Sequence, residues 1–360
     1  MWLRSGLGTR VEEGGGKQIG STGNDVGEME IDKGAGMVDL WCGEPGEEEQ
    51  RISSKDYEKT LTEKTNMRYA EIISTLPKTE GINPSLDLYQ YQGFWLSLFN
   101  LDAAIFLQEQ FKPKPEEIFL CSSLKTGTTW LKALAFAIVT RDRYDEFTSP
   151  LLNTIPHECL PIMEIDLAKD PSYRAPLLPL LATHISYTSL PKSIIESGCK
   201  IVYICREPKD AFTSYWHFSQ KVKRGSRRVA AVVEPEQAAS STLEEELELF
   251  CQGKSAFGPY WGHVLGFWRA SIERPEIVLF LKYEELKKDQ LFYVKKLAEF
   301  MGKPFSKEEE IEGIPEKIVG MCSFTNLSNL EVNKSGICQK GQVENSAFSG
   351  KQLLEIGKIF

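Results

Sequence analysis

The sequence lacks the marks of several common functions. It has no apolar run near the roughly 18 to 20 residues that a membrane-crossing helix needs, so no membrane role is expected. None of its eight cysteines forms a Cys-x-x-Cys pair, and several sit inside apolar runs such as Ile201-Val202-Tyr203-Ile204-Cys205. That usage argues against a disulfide framework and for free, mostly buried thiols in a reducing compartment. A basic excess is missing too: 42 Lys and Arg against 51 Asp and Glu leave a net charge of -9, which argues against a nucleic-acid partner. The start has no signal-peptide core and soon turns acidic, so a cytoplasmic location is expected. Histidine is scarce, with only four in 360 residues, so the position of each one carries weight.

What is present is unevenly spread. The first 46 residues hold 12 of the 28 glycines, interleaved with acidic residues and almost without periodic apolar positions. Such a segment cannot bury enough apolar surface to offset its conformational entropy, so residues 1–64 are expected to be a disordered extension and 65–360 the folded domain. In that domain Tyr69, Ile72, Ile73 and Leu76 have helical spacing. Glu117–Ser122, Leu177–Thr183, Lys200–Cys205 and Glu276–Lys282 read as buried strands. Helical stretches follow them at Leu131–Val139, Pro191–Ser197, the aromatic run Phe212–Phe218, and Glu284–Met301. Strands alternating with helices predict an α/β fold, a single domain with a parallel β-sheet flanked by helices. Lys221–Ser241, with no clear period, reads as a long surface loop, either merely solvated or a basic lid over an anion.

Lys125-Thr126-Gly127-Thr128-Thr129-Trp130 joins the first strand to its helix. Gly127 permits a tight turn and close backbone approach, and the free N–H groups of a helix start favour an anion. The loop therefore reads as a phosphate cradle. It is not a nucleoside-triphosphate P-loop, because Lys125 precedes Gly127 and the strand ends at Arg206 and Tyr283 offer no aspartate for magnesium. No metal is expected. Arg206 and Ser214 flank the start of the next helix, where they could reach one phosphate, though either also fits an ordinary structural role. His184 follows the second strand; taken alone it fits a satisfied core histidine as well as a general base.

The run Ser122–Leu134 resembles the sulfate-donor loop of cytosolic sulfotransferases, especially the plant group. Ala182-Thr183-His184, the stretch Cys205–Phe218, Leu281–Leu286 and the blocks from Cys322 to Lys334 are similar to further segments of that family, in family order. The resemblance implies a P-loop-like sulfotransferase fold and 3′-phosphoadenylyl sulfate as donor. The acceptor would be a small-molecule hydroxyl of plant secondary metabolism: a flavonoid, hydroxyjasmonate, steroid or other phenol or alcohol. It implies that Lys125, Thr126, Gly127, Thr128 and Thr129 hold the 5′-phosphosulfate, and that Trp130, Phe324 and Tyr283 hold adenine. Arg206 and Ser214 would bind the 3′-phosphate, with His184 as base and Lys125 beside the leaving oxygen. Phe94, Trp95, His157 and Pro161, within Tyr89–Leu96 and Asn153–Met163, suggest an apolar acceptor wall. Three departures stand out: Thr126 where the family has Ser, a longer Lys221–Ser241 segment, and no Arg-Lys-Gly after Phe348. Losing that clamp would weaken donor binding by about 3 to 6 kcal/mol, which makes an impaired, donor-binding relative the alternative. Oligomeric state is not legible.

Overall fold

Four short apolar stretches make the central sheet: β4 (Ile118–Ser122), β5 (Leu180–Thr183), β6 (Lys200–Cys205) and β7 (Val278–Lys282). The computed structural model describes residues 67–80, 87–175, 178–229, 242–338 and 343–348, all within the unit Lys55–Phe360. The extension expected over residues 1–64, Leu177, Lys340-Gly341 and the departing tail after Phe348 lie outside the described residues.

All three pairings in this sheet are parallel, in the order β5-β4-β6-β7. Parallel strands covered on both faces need apolar residues at every position, which is what Ile118-Phe119-Leu120-Cys121 supplies. The pleat divides them. Ile118, Leu120, Leu180, Ala182, Val202, Ile204, Leu279 and Leu281 pack with Leu131, Leu134 and Ile138 of the helix Thr128–Thr140. Phe119, Cys121, Leu181, Ile201, Tyr203 and Val278 pack on the opposite face with Leu101, Ile105 and Leu107 of the helix Leu98–Gln110 and Phe267 and Ala270 of the helix Tyr260–Glu273. Each fully buried Leu, Ile or Phe contributes about 1.5–3 kcal/mol, so these two clusters hold the sheet edge rigid. An α/β fold with a parallel sheet between helices is thus the observed architecture.

The order matters for function. The chain leaves β4 for β5 on one side, then crosses back to β6 on the other. The connections from β4 and β6 therefore diverge, opening a crevice at their carboxyl ends.

Several expectations need correction. The helix expected over Glu284–Met301 is two helices, Tyr283–Lys288 and Gln290–Phe300. Asp289 breaks it at φ -137, ψ 75, and its carboxylate accepts from the Phe292 N–H at 3.1 Å to start the second piece. An N-capping aspartate outcompetes the continuous periodicity. The first part of the expected Lys221–Ser241 loop is helical, since the helix after β6 runs from Pro208 to Val229; residues 230–241 lie outside the described residues. Tyr89–Leu96 is a hairpin, β2 (Asp87–Tyr91) paired antiparallel to β3 (Phe94–Ser97), turning at Gln92 and Gly93 with φ of 50° and 86°. β1 (Lys78–Glu80) pairs with β2 to complete this small sheet. None of the seven described cysteines is in a disulfide.

Phe267 is fully buried, its ring stacked on Tyr203 at 4.2 Å and 8°. Phe267→Ala should lower unfolding free energy by about 3–5 kcal/mol in urea titrations, because the sheet cannot collapse into the gap.

Candidate active site at the carboxyl edge of the sheet

Each strand of the sheet delivers one predicted residue to the same edge. The Lys125 loop follows β4, His184 follows β5, Arg206 follows β6 and Tyr283 follows β7. The register aligns these ends, pairing Cys121 with Thr183, Ser122 with Ile204 and Cys205 with Lys282.

The loop after β4 is wound tightly. Lys125 has φ 63 and Gly127, at the helix N-cap, φ 117. A Cβ at Gly127 would lie 2.9 Å from a Tyr283 ring carbon and 3.1 Å from the Ile204 side chain, so only glycine fits. No side chain caps this helix, and its first N–H groups face the crevice without an intrahelical partner. The three threonines divide their work. Thr126 is fully buried, and its hydroxyl is within 2.9 Å of the Ser123 carbonyl and 3.1 Å of the Ile204 carbonyl, tying the loop to β6. Its hydroxyl therefore serves the loop, not a ligand. Thr128 shares a 2.7 Å hydrogen bond with Ser122. Thr129 lies 2.9 Å from His157 Nε2, while the Lys132 ammonium lies 3.4 Å from His157 Nδ1. An ammonium only donates, which puts the imidazole proton on Nε2 and leaves Thr129 its own proton to give. His157, expected at an apolar acceptor wall, is buried against Thr129 and Lys132 of the helix after the loop.

Cations crowd this edge. Burial, together with the Lys221 and Arg206 charges, brings the Lys125 pKa down to about 7. Its Nζ donates to the Ala347 carbonyl at 3.1 Å and lies 4.8 Å from the Phe218 ring centroid. Lys221 Nζ donates to the Ser346 carbonyl at 2.8 Å. Arg206 stacks its guanidinium 4.8 Å over Tyr283 and meets Asp210 at 3.5 Å, yet its Nε is buried with no hydrogen-bond partner. The indole Nε1 of Trp130, edge-on to Tyr283 at 5.3 Å and 69°, is buried and equally unpartnered. Converging positive charge and orphaned donors fit a multiply charged anion with a flat, hydrogen-bonding part. The sequence left Lys221 between a solvated loop and a basic lid and gave Phe218 no role of its own. The signal was there: Ser214, Phe218 and Lys221 are spaced i, i+4, i+7 on one helix. Ser214 is half-buried on that helix. Phe324 opens the helix Phe324–Asn329 half-buried, and among the described residues it makes no ring contact with Trp130 or Tyr283.

His184 follows β5, beside the Lys125 loop, and feels the Lys125 charge. Its Nδ1 is 2.8 Å from the Ser122 carbonyl, which can only accept, so Nδ1 carries the proton and Nε2 is the free lone pair. Burial is the main cause lowering its pKa to about 4, reinforced by the charges of Lys132 and Lys125. The Phe257 ring lies 5.6 Å away, and Phe94 of the hairpin packs edge-on to His263 beside it. Trp95 is bonded through its main chain to Phe257 and Gly258, which docks the hairpin on this side. Pro161 accepts from Ala182 N–H at 2.9 Å.

Comparison with known proteins follows the same lines. The sulfotransferase domain family matches residues 115–355. A flavonol 4′-sulfotransferase of Flaveria chlorifolia is 50% identical over 283 residues, 78% of this chain and 84% of that protein. Cytosolic sulfotransferase 16 of Arabidopsis thaliana is 45% identical, covering 78% of this chain and 81% of its own. Among solved structures, an Arabidopsis thaliana sulphotransferase superposes with a TM-score of 0.59 at 38% identity, over 78% of this chain and 90% of that one. Retinol dehydratase, solved with androsterone and the inactive cofactor PAP, has a TM-score of 0.51 at 20% identity, covering 71% and 76%, and shares the fold.

The depressed Lys125 ammonium gives a direct test. An anion beside it raises its pKa, so above pH 7 the complex holds a proton that the free protein has lost. Inorganic sulfate binding should therefore take up a proton at pH 8 and weaken as pH rises, by up to about tenfold per unit. Calorimetry in buffers of different ionisation heat reads the uptake; none at pH 8 would place the anion away from Lys125.

Proposed function

The chain belongs to the sulfotransferase domain family, and on that premise we propose that it moves a sulfuryl group from 3′-phosphoadenylyl sulfate to a phenolic hydroxyl of a flavonol-like acceptor in the cytosol. The observation that carries this reading is the convergence of Lys125, Arg206 and Lys221 on one crevice edge, with the unprotonated nitrogen of His184 at the same edge. The unpartnered Arg206 Nε and Trp130 Nε1, and the glycine-only turn at Gly127, support a nucleotide with more than one phosphate.

The donor, when bound, supplies an activated sulfuryl group on a nucleotide leaving group. Lys125 and the N–H groups from Gly127 to Trp130 hold the 5′-phosphosulfate, and Lys125 neutralises charge gathering on the departing oxygen. Thr129 keeps a hydroxyl proton for a phosphate oxygen, and Thr128 adds its own beside it. Thr126 works through the loop's shape. Arg206, Ser214 and Lys221 hold the 3′-phosphate. Trp130 and Tyr283 hold adenine, and Phe324 closes on the same base. Phe94 and Phe257 line the acceptor side, where an aromatic alcohol stacks with its hydroxyl towards His184 Nε2. That nitrogen takes the hydroxyl proton as the acceptor oxygen bonds to sulfur. A pKa near 4 makes a weak base of the free imidazole; anionic phosphates nearby favour the imidazolium and raise it. The base thereby gains strength when the donor is in place.

The family relatives named for flavonols support the acceptor class, and those named cytosolic support the location. A transfer assay with radiolabelled donor and a panel of flavonols, hydroxyjasmonates and steroids tests the reading. His184→Ala should cut kcat by about 10²- to 10⁴-fold while the affinity for the spent nucleotide stays close to that of the parent. Turnover surviving in His184→Ala sinks its role as base. Nucleotide binding without transfer to any acceptor would mark a binding protein instead.

A further inference from the structure

A general base is useful only if its free nitrogen is held in one direction. His184 stands one residue past the last ladder pair of β5, Cys121 with Thr183, where the strand no longer dictates its orientation. Its own peptide groups are taken by two side chains from distant elements. The His184 N–H donates to Glu164 Oε1. The His184 carbonyl accepts from His263 Nε2 at 2.9 Å.

Both partners are built for this. Glu164 lies on a single π-turn, Met163–Leu167, and Ile162 just before it is bridged to Ala182 on β5. The wide turn drops the Glu164 carboxyl beneath His184, where it is 2% exposed. The Thr183 side chain also holds this carboxyl, and Oε2 is buried. Burial holds the group towards its neutral form, since it pushes the Glu164 pKa up. His263, from the helix Tyr260–Glu273, is fully buried. Because the His184 carbonyl only accepts, His263 carries its proton on Nε2. Its Nδ1 then accepts from the Tyr203 hydroxyl at 2.9 Å. The tautomer is locked from β6 through to β5.

We infer that Glu164 and His263, with Tyr203 behind it, are positioning residues that clamp the main chain of His184 so that Nε2 alone is free and aimed at the acceptor. Together with the ring bond to the Ser122 carbonyl, the clamp fixes the histidine at three points: its N–H, its C=O and its Nδ1. Ser122 and Tyr203 also touch the donor loop, through Thr128 and the Ser123 main chain, so Glu164 is the member whose variants separate positioning of His184 from donor binding. The inference rests on His184 being the base.

The test compares kcat with nucleotide affinity in four variants, with His184→Ala as reference. Glu164→Leu removes the acceptor for the N–H and should lower kcat about 10- to 100-fold, the effect of a misaimed reacting group, with nucleotide affinity retained. Glu164→Gln keeps an oxygen for that N–H and should recover most of the loss. Tyr203→Phe, which deletes one hydroxyl and unlocks the His263 tautomer, should lower kcat several-fold and serves as the deciding variant should Glu164→Leu not fold. Wild-type kcat in Glu164→Leu or in Tyr203→Phe overturns the clamp. So does Glu164→Gln as damaged as the leucine variant, or nucleotide affinity falling in step with kcat in the Glu164 variants. If His184→Ala itself turns over, the reading of the base has failed; if it is dead while Glu164→Leu and Tyr203→Phe work normally, only the clamp has.

Discussion

Three side-chain cations gathered in one crevice, with little negative charge among them, form the constraint on which the rest of the site depends. Burial, with the charges of Lys221 and Arg206 added to it, brings the Lys125 pKa down to about 7. Such an arrangement favours an anion in the crevice, whose charge would relieve the repulsion. The neighbouring details follow from the same demand. The loop must bring backbone N–H groups close, so Gly127 takes a φ that other residues avoid and has no room for a Cβ. Arg206 must stay aimed into the crevice, so it rests on the Tyr283 ring and leaves its Nε unspent. The described C-terminal turn lends two carbonyls, those of Ser346 and Ala347, to Lys221 and Lys125.

His184, at the end of the neighbouring strand β5, obeys an opposite rule. Where the cations are crowded and only partly satisfied, His184 is bonded at every polar atom except Nε2. Its partners settle the tautomer by elimination, since carbonyls only accept. The same logic runs through His157, where the Lys132 ammonium dictates which nitrogen is protonated and so what Thr129 can still donate. Hydrogen-bond polarity thus fixes which nitrogen of each of these histidines is protonated.

Both halves depend on the sheet. Its strands are buried on both faces and packed by two large apolar clusters, so their ends are held in fixed positions. The switch between β4 and β6 leaves the crevice open at that edge.

Much of this was legible in the order of residues. Periodicity marked β4 and β6 to within a residue, and the Lys125–Trp130 loop, Arg206 and His184 each follow a strand whose apolar run announces it. Local patterns of that kind are written in neighbouring residues, because burial on both faces of a strand constrains every position in it. Other features were silent. Glu164 sits in the mixed stretch Met163-Glu164-Ile165-Asp166-Leu167, which reads as a polar connection until the π-turn tucks it under β5. His263 hides within an aromatic helix, and Lys221 within a basic run that continues a helix instead of ending it. The sequence alone determined which chemical groups the chain owns and which strands carry them. Only the parallel register, joining positions 60 to 80 residues apart, decided which of those groups meet and which atoms they leave free, because hydrogen-bond partners across a sheet are chosen by packing and not by adjacency.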